Sequence, residues 1–235
     1  MRRQKSPASL DAARLRWAEK QLDYRFTDPE LLERALTHRS ASRDNNERLE
    51  FLGDSVLSYR VARLLFDQRH DADEGDLSRG RAALVNKRTL AAIGRELAID
   101  DQLILGSGEL RTGGAQREST LADAVEALIG AVLVDSGIES ATQLVDRLIG
   151  SRLAGLPAPD ELKDPKTRLQ EWLQGRGHDR PVYTVDAQTG SDHERVFRVI
   201  CAVDELDLRV EGEGRSRRSA EQSAAASMLE HIADG

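Results

Sequence analysis

Three carboxylates, Glu47, Glu50 and Asp54, lie within the ten residues Asn46-Glu-Arg-Leu-Glu-Phe-Leu-Gly-Asp-Ser55. At ~100° per residue, offsets of three and four place them on one stripe of a helix. Like charges stacked this way repel by a few tenths of a kcal/mol per pair. A second pair, Asp123 and Glu126, stands three apart in the otherwise apolar stretch Thr120-Leu-Ala-Asp-Ala-Val-Glu-Ala-Leu-Ile-Gly130. Acids kept against such repulsion can hold a cation or move protons. A ligand set of oxygens with no cysteine favours a hard ion, Mg²⁺ or its substitute Mn²⁺. Such an ion can activate water and neutralise a phosphodiester.

Structural roles compete for the same residues. Asp44 with Glu47, and Thr120 with Asp123, each fit a capping box. Glu50 can pair with an arginine on a solvated face. Glu74, in Asp73-Glu74-Gly75-Asp76, stands at a helix start, where an acid favours the helix dipole. Gly53 costs ~1 kcal/mol relative to alanine in mid-helix, and close approach of another backbone accounts for it.

The 235 residues suffice for a domain of ~150 with a smaller partner. A composition 39% apolar and 32% charged is that of a soluble chain with real cores. No apolar run approaches the ~18 residues of a membrane span, and the basic start Met1-Arg2-Arg3-Gln4-Lys5 lacks the apolar stretch of a secretory signal. The lone Cys201 excludes an intramolecular disulfide and fits a reducing cytoplasm, where it reads as a small buried hydrophobe in a strand. The net charge is −7, and no segment is basic as a whole, so any nucleic-acid site must be a local patch.

The first two-thirds read as helical. Ser9 can cap a helix running to about Leu22, and Asp28-Pro29 starts another leading to about Thr37. Asp44 can cap the acidic helix, whose Leu49, Leu52, Val56, Leu57, Val61, Leu64 and Leu65 repeat at helical spacing. Further helices are expected over 76–86, 87–97, 120–135 and 139–153, with a glycine-rich loop over 106–114. That loop lacks the Gly-Lys-Ser/Thr of a P-loop, so no nucleotide cofactor is implied. Residues 155–163 read as a linker. Beyond it, a helix from about Pro165 to Gln174, strands over 181–188, 195–204 and 206–211, and a helix over 216–232 give the order α-β-β-β-α. Both helices are expected on one face of a small sheet. Arg215, Arg217 and Arg218 cluster where the last helix begins, a natural phosphate site.

These residues together resemble bacterial ribonuclease III over nearly the whole chain. The Asn46–Ser55 segment is similar to that family's signature helix. Ala35-Leu-Thr-His-Arg-Ser40 resembles the segment before it, and Glu118–Gly130 the second catalytic helix. Residues 164–235 resemble a double-stranded RNA-binding domain. The resemblance implies an all-α endonuclease domain over 1–155, a linker over 156–163, and a small α+β RNA-binding domain over 164–235. It implies a homodimeric, cytoplasmic, Mg²⁺-dependent endoribonuclease. The family cuts double-stranded RNA to leave 5′-phosphates, 3′-hydroxyls and two-nucleotide 3′ overhangs, and matures ribosomal RNA precursors and structured messenger RNA.

By that resemblance Glu50, Asp54, Asp123 and Glu126 are metal ligands, with Asp54 and Glu126 central to catalysis. Glu47 and Glu74 are supporting acids toward the dimer interface, and Phe51 inserts into the partner subunit. Thr167, Gln170 and Glu171 read one minor groove of the RNA, and His193 the next. Arg217 and Arg218 contact the phosphates between. The RNA-binding segment is more acidic than is usual for this module, with Ser219 and Glu221 where many members carry lysine, which predicts weaker RNA binding. A contrasting expectation is an RNA-binding protein whose helical domain only dimerises. Another is a metal phosphohydrolase acting on small nucleotides.

Overall fold

A computed structural model describes residues 12–189 and 195–233, so Ser9 and His193 lie outside the described residues. The chain divides after Leu156 into two compact units. In the first, α1 (Ala12–Leu22), α2 (Pro29–Leu36), α3 (Glu47–Gln68), α4 (Glu74–Val85), α5 (Lys87–Glu96), α6 (Ser107–Arg111) and α7 (Glu118–Ala154) follow one another. No helix among the described residues is long and apolar enough to cross a membrane.

The buried residues of α3, Leu49, Gly53, Val56, Leu57, Val61 and Leu65, recur at helical spacing and form one face. That face packs on α7, whose own face is almost wholly apolar from Leu121 to Val132. Each fully buried Leu or Val in this seam contributes ~1.5–3 kcal/mol of transfer free energy. Two glycines set the spacing. A Cβ on Gly53 would overlap the carbonyl oxygen of Glu126, and one on Gly130 would overlap that of Leu49. The helices therefore cross backbone to backbone. Farther along, Arg60 donates twice to Asp146, at 2.6 and 2.7 Å, fastening α3 to the second half of α7.

Several local expectations are corrected. Asn46, not Asp44, precedes α3; Asn45 Oδ1 accepts the Glu47 N–H at 3.0 Å, while Asp44 pairs with Arg34 at 2.9 Å. Thr120 is buried inside α7, so it caps nothing. The two helices expected over 120–153 are joined end to end, with Gly137 at φ 82° marking the break between them. The glycine-rich loop contains α6 and a 3₁₀ turn at Gly114–Gln116, steadied by a contact between Arg117 and Glu109.

In the second unit, α8 (Pro159–Leu162) is a single turn within the expected linker. After it come α9 (Pro165–Gln174), β1 (Val182–Thr189), β2 (Val196–Val203), β3 (Leu208–Gly214) and α10 (Arg217–Ala233). The sheet is antiparallel in the order β1-β2-β3, with a bulge between Val185 and Ala187. β3 starts later than expected because Asp204–Leu206 form a 3₁₀ turn closed by Asp207 at φ 53°. Leu169 and Leu173 of α9 share a core with Cys201, Val203, Ala224, Ala225 and Met228. Cys201 is buried there, as its strand position predicted.

Candidate active site and nucleic-acid interface

The α3–α7 crossing brings the two acidic motifs together. Gly53 sits between Glu50 and Asp54 on α3, and its contact on α7 is the backbone of Glu126. Carboxylate oxygens of Glu50, Asp123 and Glu126 all lie within 4.8 Å of one another. All three are partly buried, and among the described residues none makes an ion pair or side-chain hydrogen bond. The pairing of Glu50 with an arginine does not occur. Asp54 is exposed and lines the same cleft of about 800 Å³, outside the tight trio.

The electrostatics match this crowding. Burial, then the charges of Asp54, Glu50 and Asp123, push Glu126 up to about 8. Burial, Asp123 and Glu47 raise Glu50, and burial raises Asp123. Packing alone gives no reason to collect unpaired acids beside an apolar helix seam. Their oxygen-only donor set fits a hard divalent cation, which would remove the repulsion.

The supporting acids stand outside the trio. Glu47 lines the same cleft, exposed and 3.6 Å from Arg39. Glu74 opens α4, where it accepts from Ser78 Oγ at 2.7 Å, and it does not line the cleft. Phe51 stands at the cleft with 77% of its surface exposed, on an outer α3 face that also presents Tyr59 and Phe66. Sequence reasoning missed the cleft's basic residues, His38, Arg39, Lys87 and Arg117. Only His38 and Arg39 stood within a recognised motif, and no spacing links Lys87 to the acids.

In the second unit, Thr167 and Gln170 of α9 share a groove with Arg217 and Arg218 of α10. Glu171 lies outside it and pairs with Lys163 at 2.6 Å. Glu221 lines the groove and takes both Lys166 and Arg217, the latter at 2.9 Å. Lys166 is thus a groove cation that sequence reasoning passed over.

Residues 28–153 match the family model described as Ribonuclease-III-like, and residues 165–232 match the double-stranded RNA binding motif. The Ribonuclease 3 of Alkalilimnicola ehrlichii is 52% identical over 213 residues, 91% of this chain and 93% of that protein. The chain belongs to the ribonuclease III family. The Ribonuclease 3 of Methylococcus capsulatus is 54% identical over 89% of this chain and 91% of its own length. Among solved structures, the ribonuclease III nuclease domain of Campylobacter jejuni aligns at a TM-score of 0.57 and 43% identity. It covers 58% of this chain and 96% of that one, and was described for flexibility in a region involved in its dimer formation. Membership makes this chain an endoribonuclease with an appended RNA-binding motif.

Proposed function

We propose that this ribonuclease III uses Mg²⁺, with Mn²⁺ as a substitute, to hydrolyse double-stranded RNA at the Glu50, Asp54, Asp123 and Glu126 cluster. The observation that carries the reading is the meeting of three unpaired carboxylates within 4.8 Å on two crossing helices. Bound divalent ions would activate water and offset charge on the phosphate. Glu50, Asp54, Asp123 and Glu126 would hold the cation, with Asp54 and Glu126 central to catalysis. Asp54 lines the same cleft and is the foremost charge acting on Glu126. Attack of water on phosphorus with departure of the 3′ oxygen leaves a 5′-phosphate and a 3′-hydroxyl.

The exposed aromatic face around Phe51 supports a homodimer, in which two clefts cut opposite strands and leave two-nucleotide 3′ overhangs. Glu47 and Glu74 then serve as flanking acids toward that interface. Thr167 and Gln170 read the minor groove from α9, with Glu171 at its margin and His193 at a second contact, and Arg217 and Arg218 bind phosphate between. The natural work of such an enzyme is maturation of ribosomal RNA precursors and structured messenger RNA in the cytoplasm.

The test is labelled duplex RNA with Mg²⁺ or a chelator, using the native chain and Glu126→Gln. The native chain should cut only with metal, and Glu126→Gln should bind without cutting. Binding without cleavage by the native chain would defeat the reading.

A further inference from the structure

We infer that Lys87 binds the scissile phosphate in the acidic cleft and stabilises the charge that builds on it as the strand is cut. The inference rests on the nuclease reading above. Four basic side chains line the cleft, and three are already engaged. His38 Nδ1 is 2.8 Å from Ser40 Oγ, Arg39 lies beside Glu47, and Arg117 contacts Glu109 and Thr112 Oγ1. Lys87 is different. Among the described residues its side chain makes no hydrogen bond and no ion pair, although it lines the same cleft.

Its charge nevertheless reaches Glu50, Asp123 and Glu126, drawing each carboxyl downward against burial. The ammonium group is therefore close enough to act on the cluster but is closed on none of its members. A lysine locked to a carboxylate would have its donors occupied, whereas a free one can meet an incoming anion.

The tether is fixed even though the tip is free. Lys87 is the first residue of α5, and Asn86 caps that helix by accepting from the Thr89 N–H at 2.9 Å. Asn86 Nδ2 donates to the carbonyls of Ala82 and Ala83, and Thr89 Oγ1 donates to Ala83 at 3.0 Å. The α4–α5 junction is thus pinned, and α5 packs against α7, which carries Asp123 and Glu126. The positive end of the α5 dipole adds to the lysine's charge.

In the reaction, water's oxygen joins phosphorus and the bond to the 3′ oxygen breaks. The electron pair leaves with that oxygen, which ends with one of water's protons. Negative charge grows on the non-bridging and departing oxygens, where Lys87 stabilises it without exchanging a proton.

The test compares the native chain with Lys87→Gln and Lys87→Arg in single-turnover cleavage at saturating duplex RNA and Mg²⁺. Lys87→Gln should lower the maximal rate by about 100-fold, the loss typical of removing one preorganised charge-stabilising group. Its duplex affinity should stay within about threefold, since one phosphate contact among many is lost. Lys87→Arg should recover part of the rate. In RNA-free protein, Mg²⁺ should raise the melting temperature at lower concentration in Lys87→Gln, because a cation that repels the metal has gone. A maximal rate within about threefold of native would overturn the inference, as would a loss cured by more Mg²⁺ or more RNA. Failure of the native chain to cleave in the same assay would instead overturn the nuclease reading, and this inference with it.

Discussion

Gly53 of α3 and Gly130 of α7 face each other at the helix crossing, so close that a Cβ on Gly53 would lie 2.9 Å from the Gly130 nitrogen and overlap the Glu126 carbonyl. The same contact that packs the core sets the distance between the two acidic motifs. Gly53→Ala should therefore force the helices apart at a cost of about 1–3 kcal/mol or more. It should lower the melting temperature and remove most cleavage together. An alanine variant of native stability and native activity would show that the crossing does not set the cluster.

Half of this relationship was legible in the chain. Gly53 announced a close approach, because a glycine in the middle of a helix costs stability and has no local purpose there. Its partner was not legible, since Gly130 lies inside a continuous apolar run whose helical phase gives no sign of which neighbour it meets. The acids followed the same rule. Spacing put Glu50 and Asp54 on one stripe, and both line the cleft, with Glu50 in the tight trio and Asp54 near enough to raise Glu126. Lys87 was invisible, because its relation to the acids passes through the packing of α5 on α7 and through no motif. The first two strands were readable from their β-branched and aromatic runs, while the 3₁₀ turn before β3 depended on Asp207 adopting a left-handed conformation.

Glu126→Gln should separate stability from activity. Its carboxyl is pushed up to about 8 by burial and by the neighbouring acids, so folding the metal-free protein near neutral pH carries the cost of holding it protonated, which glutamine removes. In chelator the variant should melt at higher temperature than the native chain. With Mg²⁺ that order should narrow or reverse, and the cleavage rate should fall by about 100-fold or more. A variant less stable than native in chelator would show that the cluster is not under electrostatic strain.

Acid should loosen the start of α2 through Asp135. Burial pushes this carboxyl up, but hydrogen bonds from the Tyr24 hydroxyl and from the Thr27 and Asp28 N–H groups outweigh it and hold it below its ordinary value. A depressed acid contributes stability above its unfolded value of 3.8, and loses it as pH falls through the lower folded value. Asp135→Asn should cost about 1.5–3 kcal/mol at pH 7, the range for hydrogen bonds to a charged group. The penalty should shrink toward pH 2. Denaturant unfolding across that range measures it, and a constant penalty would mean the charge plays no part.

The groove between α9 and α10 makes a prediction about salt. Arg217→Ala and Arg218→Ala should each weaken duplex RNA binding similarly across sequences and reduce the salt slope by about one. Arg217 starts with a handicap, because Glu221 holds it at 2.9 Å and also holds Lys166. Glu221→Gln should accordingly strengthen binding, most visibly at low salt. Titrations of labelled duplex at several salt concentrations report both effects, and an unchanged slope in the arginine variants would remove them from the phosphate contacts.

Phe51 tests the subunit interface without touching the acids, although it follows Glu50 directly. Helical geometry turns the two apart: Glu50 is partly buried among the acids, while Phe51 leaves 77% of its surface exposed beside an outer face bearing Tyr59 and Phe66. In a two-fold dimer each substitution acts twice. Losing a central aromatic at about 2 kcal/mol per copy removes about 4 kcal/mol, and raises the dimer dissociation constant about 10³-fold. Phe51→Ala should thus elute as monomer at concentrations where the native chain is dimeric. The Mg²⁺-induced rise in melting temperature should persist in the monomer, because Glu50, Asp123 and Glu126 all come from one chain. Loss of that rise together with the dimer would place part of the metal site across the interface, and would move Phe51 from a contact between subunits to a support of the acids themselves.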